Sequence, residues 1–468
     1  MDYTKIYVNG VWVEPNTKEF IDVENPATKK YFAKIPNSDE LDVNRAVDAA
    51  DEAFKTWQYS SMEDRIKYAN QLVEELEKRV DEMAQVIVKE LGCGFEFAKK
   101  DQVESYIEDA KIYINLMKDY DFEERHKGFT VRKEPYGVIG ALTPWNFPLG
   151  QITKKLFPAI LTGNTIVLKP SKQTPLAAYH LTEAIHATDL PKGVFNMVPG
   201  SGSDVGGLIG KNKKVRLLSF TGSTEGGIQV GKLAMEDVKS VTLELGGKSP
   251  SVVLEGADLE LAVDTTLNRI YYNTGQRCSA LSRLVIPTAL KDEVEDLIKK
   301  KTPDFKFGDP ADPDTLIGPL ASKKQFDKVK GYIEKGLEEG AELLIGQVPE
   351  EDSKGYYVGP TVFTNVKNHM EIAQNEIFGP VLSIISYDNV EEAVGIANDV
   401  VFGLAAAVFG PDKEARDIAN QIKAGSIIIN DGSFSRGAPF GGFKHSGIGR
   451  EGGIYGIEEF LQEKALFE

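Results

Sequence analysis

The feature that most restricts the fold is an alternation of short apolar runs with helical segments between Gly137 and Leu245. The runs are rich in β-branched residues and read GVIGAL, NTIVLKP, VFNMV, VRLLSF and SVTLEL. Segments of helical character separate them, such as QITKKLFPAIL and TPLAAYHLTEAIH. Strands that alternate with helices of this length form right-handed crossovers and a parallel sheet covered on both faces. The pattern therefore predicts a doubly wound sheet, which binds ligands beyond the carboxyl ends of its strands.

A second alternating block runs from about Pro250 to Asn430. Its predicted strands are SVVL, RLVIP, PVLSIISY, AAAVFG and SIIIN, and VEEAVGIAND is one of the helices between them. Because a chain of 51.5 kDa is too long for one ordinary domain, we expect two α/β domains in series.

Two further segments, FTVRKEPYG and the tail IEEFLQEKALFE, alternate in part like an exposed β-ribbon. An isolated ribbon is only marginally stable, so these segments are expected to pair and to lie across a neighbouring subunit. The predicted fold class is α/β, with two doubly wound parallel-sheet domains and a small β-ribbon for oligomerisation.

The first part of the chain is predicted to hold long amphipathic helices. Two sets of apolar residues recur there at helical spacing: Val43, Ala46, Val47, Ala50, Ala53, Phe54 and Trp57, and then Leu72, Val73, Leu76, Val80, Met83 and Ile87. Core packing explains both sets.

The net charge of −17 narrows the range of partners. Nucleic acid and anionic membrane surfaces are not expected as partners, because both require clustered Lys and Arg. No run of about 18 apolar residues is present and the N-terminal residues lack a signal-peptide pattern, so no membrane span and no leader are expected. Two cysteines cannot build a disulfide framework and fit a cytoplasmic location. Five histidines show no paired ligand spacing, so we expect no metal site.

One of the two cysteines, Cys278, has an unusual setting, NTGQRCSALS. A structural cysteine behaves as a small hydrophobe, whereas a reactive one needs a polar, electropositive setting that favours the thiolate. We therefore expect Cys278 to be reactive, with Arg277 contributing. Cys93 follows a predicted helix outside every motif and is expected to be incidental.

Several polar residues lie at the predicted strand ends. TGSTEGG follows the strand VRLLSF, so Gly222 and Gly227 sit in a strand–helix turn that can approach a phosphate, and Ser223 can cap the helix or meet that phosphate. Lys169 ends another strand and can reach ribose hydroxyls. Each of these signals is weak alone, because an ordinary turn or a solvated lysine explains it equally well.

Other strand ends carry groups suited to acyl chemistry. Asn146 follows GVIGAL and offers the neutral N–H donor that an oxyanion hole needs. Glu244 ends the last strand of the first sheet, where a carboxylate is placed for general-base work. EIFGPV supplies Glu376 and Phe378 in the second block. A turn, a cap or a solvated acid explains each of them individually.

Together, in this order, these motifs resemble the aldehyde dehydrogenase superfamily in its hydrolytic, non-acylating branch. The matching stretches are PWNFP, IVLKPS, FTGST, LELGGKSP, GQRCS, EIFGPV and PFGGFKHSGIGRE. The resemblance covers almost the whole chain, from roughly VNGVW to the tail.

The resemblance implies a role for each matching residue. Cys278 matches the nucleophile, Glu244 the general base, Asn146 the oxyanion donor, and Lys155 a lysine that some members use in proton relay. The positions that match dinucleotide-lining residues are Trp145, Lys169, Gly202, Gly222, Ser223, Leu245, Glu376 and Phe378. The expected boundaries are 1–118 and 138–246 for a Rossmann-like dinucleotide-binding domain, 247–446 for the catalytic domain, and 119–137 with 455–468 for the ribbon. A homodimer or homotetramer is expected.

The implied reaction is oxidation of a small-molecule aldehyde to its acid with NAD or NADP. The thiolate forms a thiohemiacetal, hydride transfer to the cofactor leaves a thioester, and Glu244 activates the water that hydrolyses it. Members without a carboxylate at this position tend to transfer the acyl group to coenzyme A. Two rival functions stay open, a non-catalytic structural or binding protein of the same build and a cysteine thioester hydrolase.

Two positions depart from the family pattern. Members that use NAD often carry KPSE, whereas this chain has KPSK, with Lys172 in place of the glutamate. A lysine attracts a 2′-phosphate, so NADP is expected to be accepted and preferred. Lys154 replaces a bulky apolar residue, and Arg277 directly precedes Cys278. Two cations near the aldehyde path predict an anionic, semialdehyde-like substrate.

Overall fold

The two alternating blocks fold into two separate sheets in the computed structural model, which describes residues 3–351 and 354–467. In chain order the strands are β1 (Ile6–Val8), β2 (Val11–Val13), β3 (Phe20–Asn25), β4 (Lys30–Pro36), β5 (Glu123–His126), β6 (Phe129–Pro135), β7 (Val138–Leu142), β8 (Thr165–Lys169), β9 (Phe195–Met197), β10 (Val215–Thr221), β11 (Ser240–Glu244), β12 (Ser249–Val253), β13 (Leu281–Pro287), β14 (Glu342–Ile345), β15 (Thr361–Thr364), β16 (Val381–Tyr387), β17 (Phe402–Gly403), β18 (Ala405–Phe409), β19 (Ser426–Ile429), β20 (Phe443–Lys444), β21 (Gly447–Ile448) and β22 (Leu461–Phe467).

The α-helices are α1 (Glu40–Trp57), α2 (Met62–Glu77), α3 (Val80–Leu91), α4 (Phe95–Phe97), α5 (Ser105–Met117), α6 (Gly150–Leu161), α7 (Leu176–His186), α8 (Val205–Lys211), α9 (Thr224–Met235), α10 (Leu259–Tyr271), α11 (Lys291–Lys301), α12 (Lys323–Glu338), α13 (Glu371–Gln374), α14 (Val390–Asn398), α15 (Asp412–Ala419) and α16 (Gly453–Glu458). A π-helical segment (Ala98–Glu104) joins α4 to α5, and short 3-10 helices cover Tyr272–Gly275, Thr288–Leu290 and Thr302–Asp304.

The first sheet has the strand order β2-β1-β9-β8-β7-β10-β11-β21. Its five central strands are the five predicted ones and run parallel, whereas β1 with β2 and β21 add antiparallel strands at the two edges. Alternate residues of the central strands enter apolar clusters on opposite faces: Ile139 and Ile166 lie on one face, and Val138 and Val167 on the other. Burial on both faces explains why these strands read as continuous apolar runs.

The second sheet has the order β14-β15-β16-β13-β12-β18-β19 and is parallel except for β14. The prediction of two doubly wound α/β sheets is therefore confirmed. The loops that carry Gly247, Cys278 and Phe378 each lead into a strand of the second sheet. The carboxyl ends of the first sheet thus meet the amino ends of the second, and the cleft between them holds the polar residues of the motifs.

The ribbon prediction is confirmed in its pairing. Strand β22 pairs antiparallel with β6 from Leu461 opposite Pro135 to Phe467 opposite Phe129, and β5 pairs with the other edge of β6. Among the described residues, β22 forms one edge of this three-stranded sheet.

The expectation for the helices is right about burial and wrong about one boundary. Val43, Ala46, Ala50 and Trp57 are buried on α1, as the spacing predicts. The second apolar set belongs to two helices, because the chain turns after Glu77 and α3 begins at Val80. Both helices bury their apolar faces in the same cluster, and therefore one periodic pattern continues across the turn. In the described residues no helix combines the length and the hydropathy required to cross a bilayer.

Candidate active site

Two adjoining cavities lie in the cleft, and Cys278 borders both. The inner cavity is lined by Trp145, Asn146, Gln151, Thr221, Gly222, Ser223, Glu244, Leu245, Glu376 and Phe378, among others. The outer cavity, of about 210 Å³, is lined by Tyr106, Asp109, Tyr113, Gln151, Lys154, Arg277, Arg436 and Phe440, among others. Most residues singled out from the sequence thus converge on one place, although they come from both sheets.

The loop before Cys278 has unusual backbone geometry. Asn273, Thr274 and Gly275 all have positive φ, of 53°, 57° and 71°. A Cβ on Gly275 would lie 2.1 Å from the carbonyl oxygen of Gly379, so only glycine allows this loop to approach the EIFGPV loop. The close approach connects the cysteine loop to the segment that carries Phe378.

The expectation that the surroundings of Cys278 favour the thiolate is wrong. Burial and the neighbouring Glu244 carboxylate raise the pKa of the Cys278 thiol, and Arg277 and Lys154 oppose them only in part. The Arg277 guanidinium is engaged elsewhere: Nε donates to the Ser279 hydroxyl at 2.8 Å. The thiol side chain itself is partly exposed to the cavities.

Asn146 is buried and held from several sides. Its Nδ2 donates to the Gln276 carbonyl at 2.9 Å, which uses one of the two amide hydrogens. The backbone carbonyl oxygen of Asn146 accepts hydrogen bonds from the side chains of Asn273 at 2.9 Å and Gln102 at 3.1 Å. These bonds fix the loop beside Cys278 and leave the second amide hydrogen for the cavity.

Glu244 ends β11 with 4% of its surface exposed. Its Oε1 atom has no hydrogen-bond partner among the described residues. Burial and the charge of Glu451 raise the pKa of the Glu244 carboxyl well above its usual value, and Lys154 and Lys155 oppose them. A carboxylate with a raised pKa is a stronger base than a solvated one.

A largely buried ionic cluster of Lys154, Lys155 and Glu451 lies near Glu244. The Lys155 Nζ donates to Glu451 Oε1 at 2.9 Å and to the Thr221 hydroxyl at 2.8 Å. Lys154 Nζ lies 3.6 Å from the other carboxylate oxygen of Glu451. The two ammonium groups outweigh burial and lower the pKa of Glu451, which is therefore ionised at neutral pH.

The EIFGPV loop adds Glu376 and Phe378 to the inner cavity. Glu376 Oε1 accepts from the Gly247 N–H at 2.9 Å, and a Cβ at Gly246 would lie 2.6 Å from this carboxylate. The Phe378 ring packs edge-on against Trp145, with 5.4 Å between ring centroids.

Ser223 is the N-cap of α9, because its hydroxyl accepts from the Gly226 N–H at 3.1 Å. The helix N-terminus therefore opens into the same cavity. Of the two roles expected for Ser223, the cap is observed.

A second group lies at the same sheet edge but does not line either cavity. Lys169 is buried and its Nζ donates to the Gly200 carbonyl at 3.3 Å, and burial together with Lys172 lowers its pKa to about 8. Lys172 is exposed, and its charge acts on the nearby Asp204 carboxylate. Gly202 lies in the loop that carries Asp204, and a Cβ at Gly202 would meet no atom within 4 Å.

Each of the three cations that line the outer cavity contacts a protein group, and Lys154 and Arg436 each lie near a carboxylate. Lys154 Nζ lies 4.8 Å from the Phe440 ring centroid and near Glu451. Arg277 lies 4.9 Å above the Tyr272 ring, and Arg436 donates to the Asp109 carboxylate at 2.6 Å.

Sequence reasoning missed Glu451, Gln151, Gln325, Lys328 and Arg436. Glu451 stands at the end of the PFGGFKHSGIGRE motif, which was a usable signal. Gln325 donates to the Phe378 carbonyl at 2.8 Å, and Lys328 borders the inner cavity beside Glu376. These two residues lie on α12, and no feature of their segment marks them as site residues.

Among residues 3–351 and 354–467, no group of three His, Cys, Asp or Glu side chains is arranged to hold a metal ion.

The architecture defines a class of protein, an α/β protein in which a polar cleft lies between the carboxyl edge of one doubly wound sheet and the amino edge of another. The model of the aldehyde dehydrogenase family matches residues 12–466. The chain belongs to this family. A protein named "Putative aldehyde dehydrogenase" from Staphylococcus aureus is 44% identical over 468 residues, which cover 99% of this chain and 98% of that protein.

Solved structures of the family have the same fold. A mutant of aldehyde dehydrogenase C from Pseudomonas syringae, complexed with NAD+ and octanal, is 41% identical with a TM-score of 0.97, covering 99% of this chain and 96% of that one. Betaine aldehyde dehydrogenase from Staphylococcus aureus, in complex with NAD+, is 35% identical with a TM-score of 0.95, covering 99% and 94%. The aldehyde dehydrogenase of Mycobacterium tuberculosis, complexed with NAD+, is 38% identical with a TM-score of 0.96, covering 100% and 98%.

Proposed function

We propose that this protein oxidises an aldehyde to the carboxylic acid with NAD or NADP, using Cys278 as nucleophile. The observation that carries the proposal is the convergence of Cys278, Glu244 and Asn146 on one cavity with Glu376 and Phe378. A non-catalytic protein of the same build has no need of a thiol, a carboxylate of raised pKa and a free amide hydrogen around one point.

In the first step the Cys278 sulfur forms a bond to the aldehyde carbon, and the carbonyl oxygen becomes an oxyanion. The free hydrogen of the Asn146 amide and the Cys278 backbone N–H stabilise this oxyanion; losing one such donor costs about 10² to 10³ in rate. Because the thiol pKa is raised, its proton must leave as the bond forms. Glu244 is the proposed acceptor of this proton, because its raised pKa lies closer to the pKa of the thiol than that of an ordinary carboxyl group does.

A nicotinamide held beside Trp145, Glu376 and Phe378 would supply the hydride acceptor, and loss of hydride from the thiohemiacetal carbon would leave a thioester on Cys278. Glu244 then takes a proton from a water molecule whose oxygen attacks the acyl carbon. The carbon–sulfur bond breaks, the acid leaves, and the thiol is restored.

The cluster of Lys155 and Glu451 supplies a route for the proton that Glu244 collects. Lys155 bonds to both Glu451 and Thr221, and Thr221 borders the inner cavity. A buried carboxylate–ammonium pair of this kind can exchange a proton with Glu244 through a bound water.

The lining of the inner cavity suits the nicotinamide end of a dinucleotide. Glu376 is held by Gly247 where a carboxylate can accept from ribose hydroxyls, and Phe378 with Trp145 forms an aromatic wall. The capped N-terminus of α9 suits a pyrophosphate. Lys169 and Gly202 would lie along the adenosine ribose, outside the cavity.

We further propose that Lys172 allows NADP to bind and favours it over NAD. The exposed ammonium can approach a 2′-phosphate, although Asp204 weakens the local positive potential. The test is steady-state kinetics with both cofactors, and Lys172→Glu is the variant. Lys213→Glu is the charge-matched control, because Lys213 precedes β10 at the amino ends of the strands. A wild-type preference for NAD of about a hundredfold or more would reject the idea.

An anionic, semialdehyde-like substrate is the proposal for the outer cavity, in which Lys154 and Arg277 border the path to Cys278. Lys154 Nζ lies 3.6 Å from the Glu451 carboxylate and makes no short hydrogen bond to it. Lys154 is therefore better placed than Arg277 to bind the carboxylate of a substrate. Lys154→Gln and Arg277→Gln should raise KM for succinic semialdehyde far more than for pentanal. Equal effects on the two aldehydes would exclude recognition of the carboxylate.

A homodimer or homotetramer is proposed from the ribbon. One edge of β22 carries no strand among the described residues, and Phe467 is 83% exposed. An open, exposed edge of this kind favours pairing with another chain. The predicted domain boundaries are kept as a proposal, and the connection from β11, which ends at Glu244, to β12, which begins at Ser249, supports the boundary between residues 246 and 247. Two unpaired cysteines support a cytoplasmic location.

Alkylation tests the proposed reaction against its two rivals. Iodoacetamide should label Cys278 rather than the buried Cys93 and abolish cofactor reduction with propanal. Ester hydrolysis without any aldehyde-dependent cofactor reduction would favour a thioester hydrolase. Absence of both activities from the folded wild-type protein would favour a binding protein.

A further inference from the structure

We propose that Gln151 selects aldehydes that carry a hydroxyl group on the carbon next to the carbonyl. The inference rests on the proposed aldehyde oxidation and names a further specificity-determining residue for it. It concerns a part of the substrate different from the carboxylate discussed above.

Gln151 lies where the two cavities meet. It is the second residue of α6 and lines both the inner and the outer cavity, as Cys278 does. Since the carbonyl carbon must reach the Cys278 sulfur, the carbon attached to it lies at the same junction. The Gln151 side chain is therefore next to the α-carbon of a bound aldehyde.

The Gln151 amide is buried and has no assigned partner. The residue is 4% exposed, and its Oε1 atom has no hydrogen-bond partner among the described residues. A buried amide oxygen without a partner is unfavourable unless a ligand or a water completes it. By contrast, Asn146 and Lys155 each bond to a protein oxygen.

The local structure holds this amide at the junction. Gln151, Lys154 and Lys155 lie on one side of α6 at helical spacing, and every residue of this helix except Lys154 is buried. A Cβ at Gly150 would lie 2.2 Å from the Tyr106 ring, so the phenol packs directly on the helix backbone. The first turn of α6 therefore cannot shift toward Tyr106, and the amide keeps its place beside Cys278.

A hydroxyl is the group that fits either orientation of this amide. The oxygen and nitrogen of a glutamine amide can exchange places, so the cavity meets an acceptor in one orientation and donors in the other. A hydroxyl both donates and accepts. An unsubstituted α-carbon leaves the amide unpaired, and a site built around a hydroxyl discriminates against such an analogue.

The test compares lactaldehyde with propanal, which differ only in the α-hydroxyl. Wild-type enzyme should have the lower KM for lactaldehyde when both concentrations are expressed as free, unhydrated aldehyde. Gln151→Met and Gln151→Leu should lower the ratio of kcat/KM for lactaldehyde to that for propanal by about tenfold. Comparing ratios between variants cancels the difference in aldehyde hydration.

The control is Gln71→Met, a glutamine on α2 that lines neither cavity, and its ratio should equal that of the wild type. A ratio that changes by less than about twofold in both Gln151 variants would overturn the proposal, as would a wild-type KM for lactaldehyde equal to or above that for propanal. The comparison of the wild-type KM values for lactaldehyde and propanal needs no variant. Cofactor reduction by the wild type with either aldehyde tests the proposed function separately, since only its absence with both lactaldehyde and propanal refutes aldehyde oxidation itself.

Discussion

Replacement of Asn146 by alanine is the sharpest test of the proposed chemistry, because the structure separates its effect on rate from its effect on stability. The amide has two hydrogens, one bonded to the Gln276 carbonyl at 2.9 Å and one left for the oxyanion. Asn146→Ala removes both.

The two expected losses differ in size. Loss of one oxyanion donor should lower kcat/KM by about 10² to 10³, equivalent to about 2.7–4 kcal/mol of transition-state stabilisation. The free energy of unfolding should fall by only about 1 kcal/mol, because the Gln276 carbonyl keeps a second donor, the Asn273 side chain at 3.3 Å.

The rate is measured as steady-state reduction of the cofactor with propanal, followed by the absorbance of the reduced nicotinamide. The stability is measured by thermal unfolding. Asn273→Gly is the matched control, since it removes the 2.9 Å bond to the Asn146 carbonyl but tolerates the positive φ of position 273. Its rate should fall by less than about tenfold, which is the scale of one loop hydrogen bond. If folded Asn146→Ala kept kcat/KM within about threefold of the wild type, the oxyanion assignment would be refuted.

Three further predictions concern the base, its ionic neighbours and the cysteine loop. Glu244→Gln removes the acceptor of both the thiol proton and the water proton, so reduced cofactor should form slowly, reach no more than about one equivalent per site and then stop at the thioester, as measured by stopped-flow absorbance; continued turnover at the wild-type rate would contradict the base assignment. Activity should disappear as pH falls through the raised pKa of Glu244, since only the carboxylate is a base; Lys155→Met, which removes a charge that lowers this pKa, should move the acid limb of the kcat/KM profile to higher pH, and Glu451→Gln, which removes a charge that raises it, to lower pH. Shifts in the same direction for both variants would exclude this electrostatic coupling. Gly275→Ala places a Cβ 2.1 Å from the Gly379 carbonyl oxygen at a φ of 71°, so its melting temperature should fall by several degrees in calorimetry, and an unchanged value would show that the loop relaxes freely.

Much of the fold is readable from the sequence because strand and helix patterns are local. Of the five strands from Val138 to Glu244, β7, β8 and β9 are buried on both faces and therefore appear as continuous apolar runs, and polar residues mark the carboxyl ends of the sheet. The same locality explains the error in the helical region, where one apolar period continues across the turn between Glu77 and Val80. Periodicity reports which face is buried, and does not report where the axis bends.

By itself, the sequence determined the family, the two sheets, and the residue types near the cysteine: thiol, carboxylate and amide. Only the tertiary structure decided how these groups affect one another. Lys155 and Glu451 form a hydrogen bond although 296 positions separate them in the chain. The polar sequence around Cys278 predicts a lowered thiol pKa, whereas burial and Glu244 raise it. The physical reason is that pKa values and unpaired amides depend on desolvation and on through-space charge, which are set by residues that the fold brings together from distant parts of the chain.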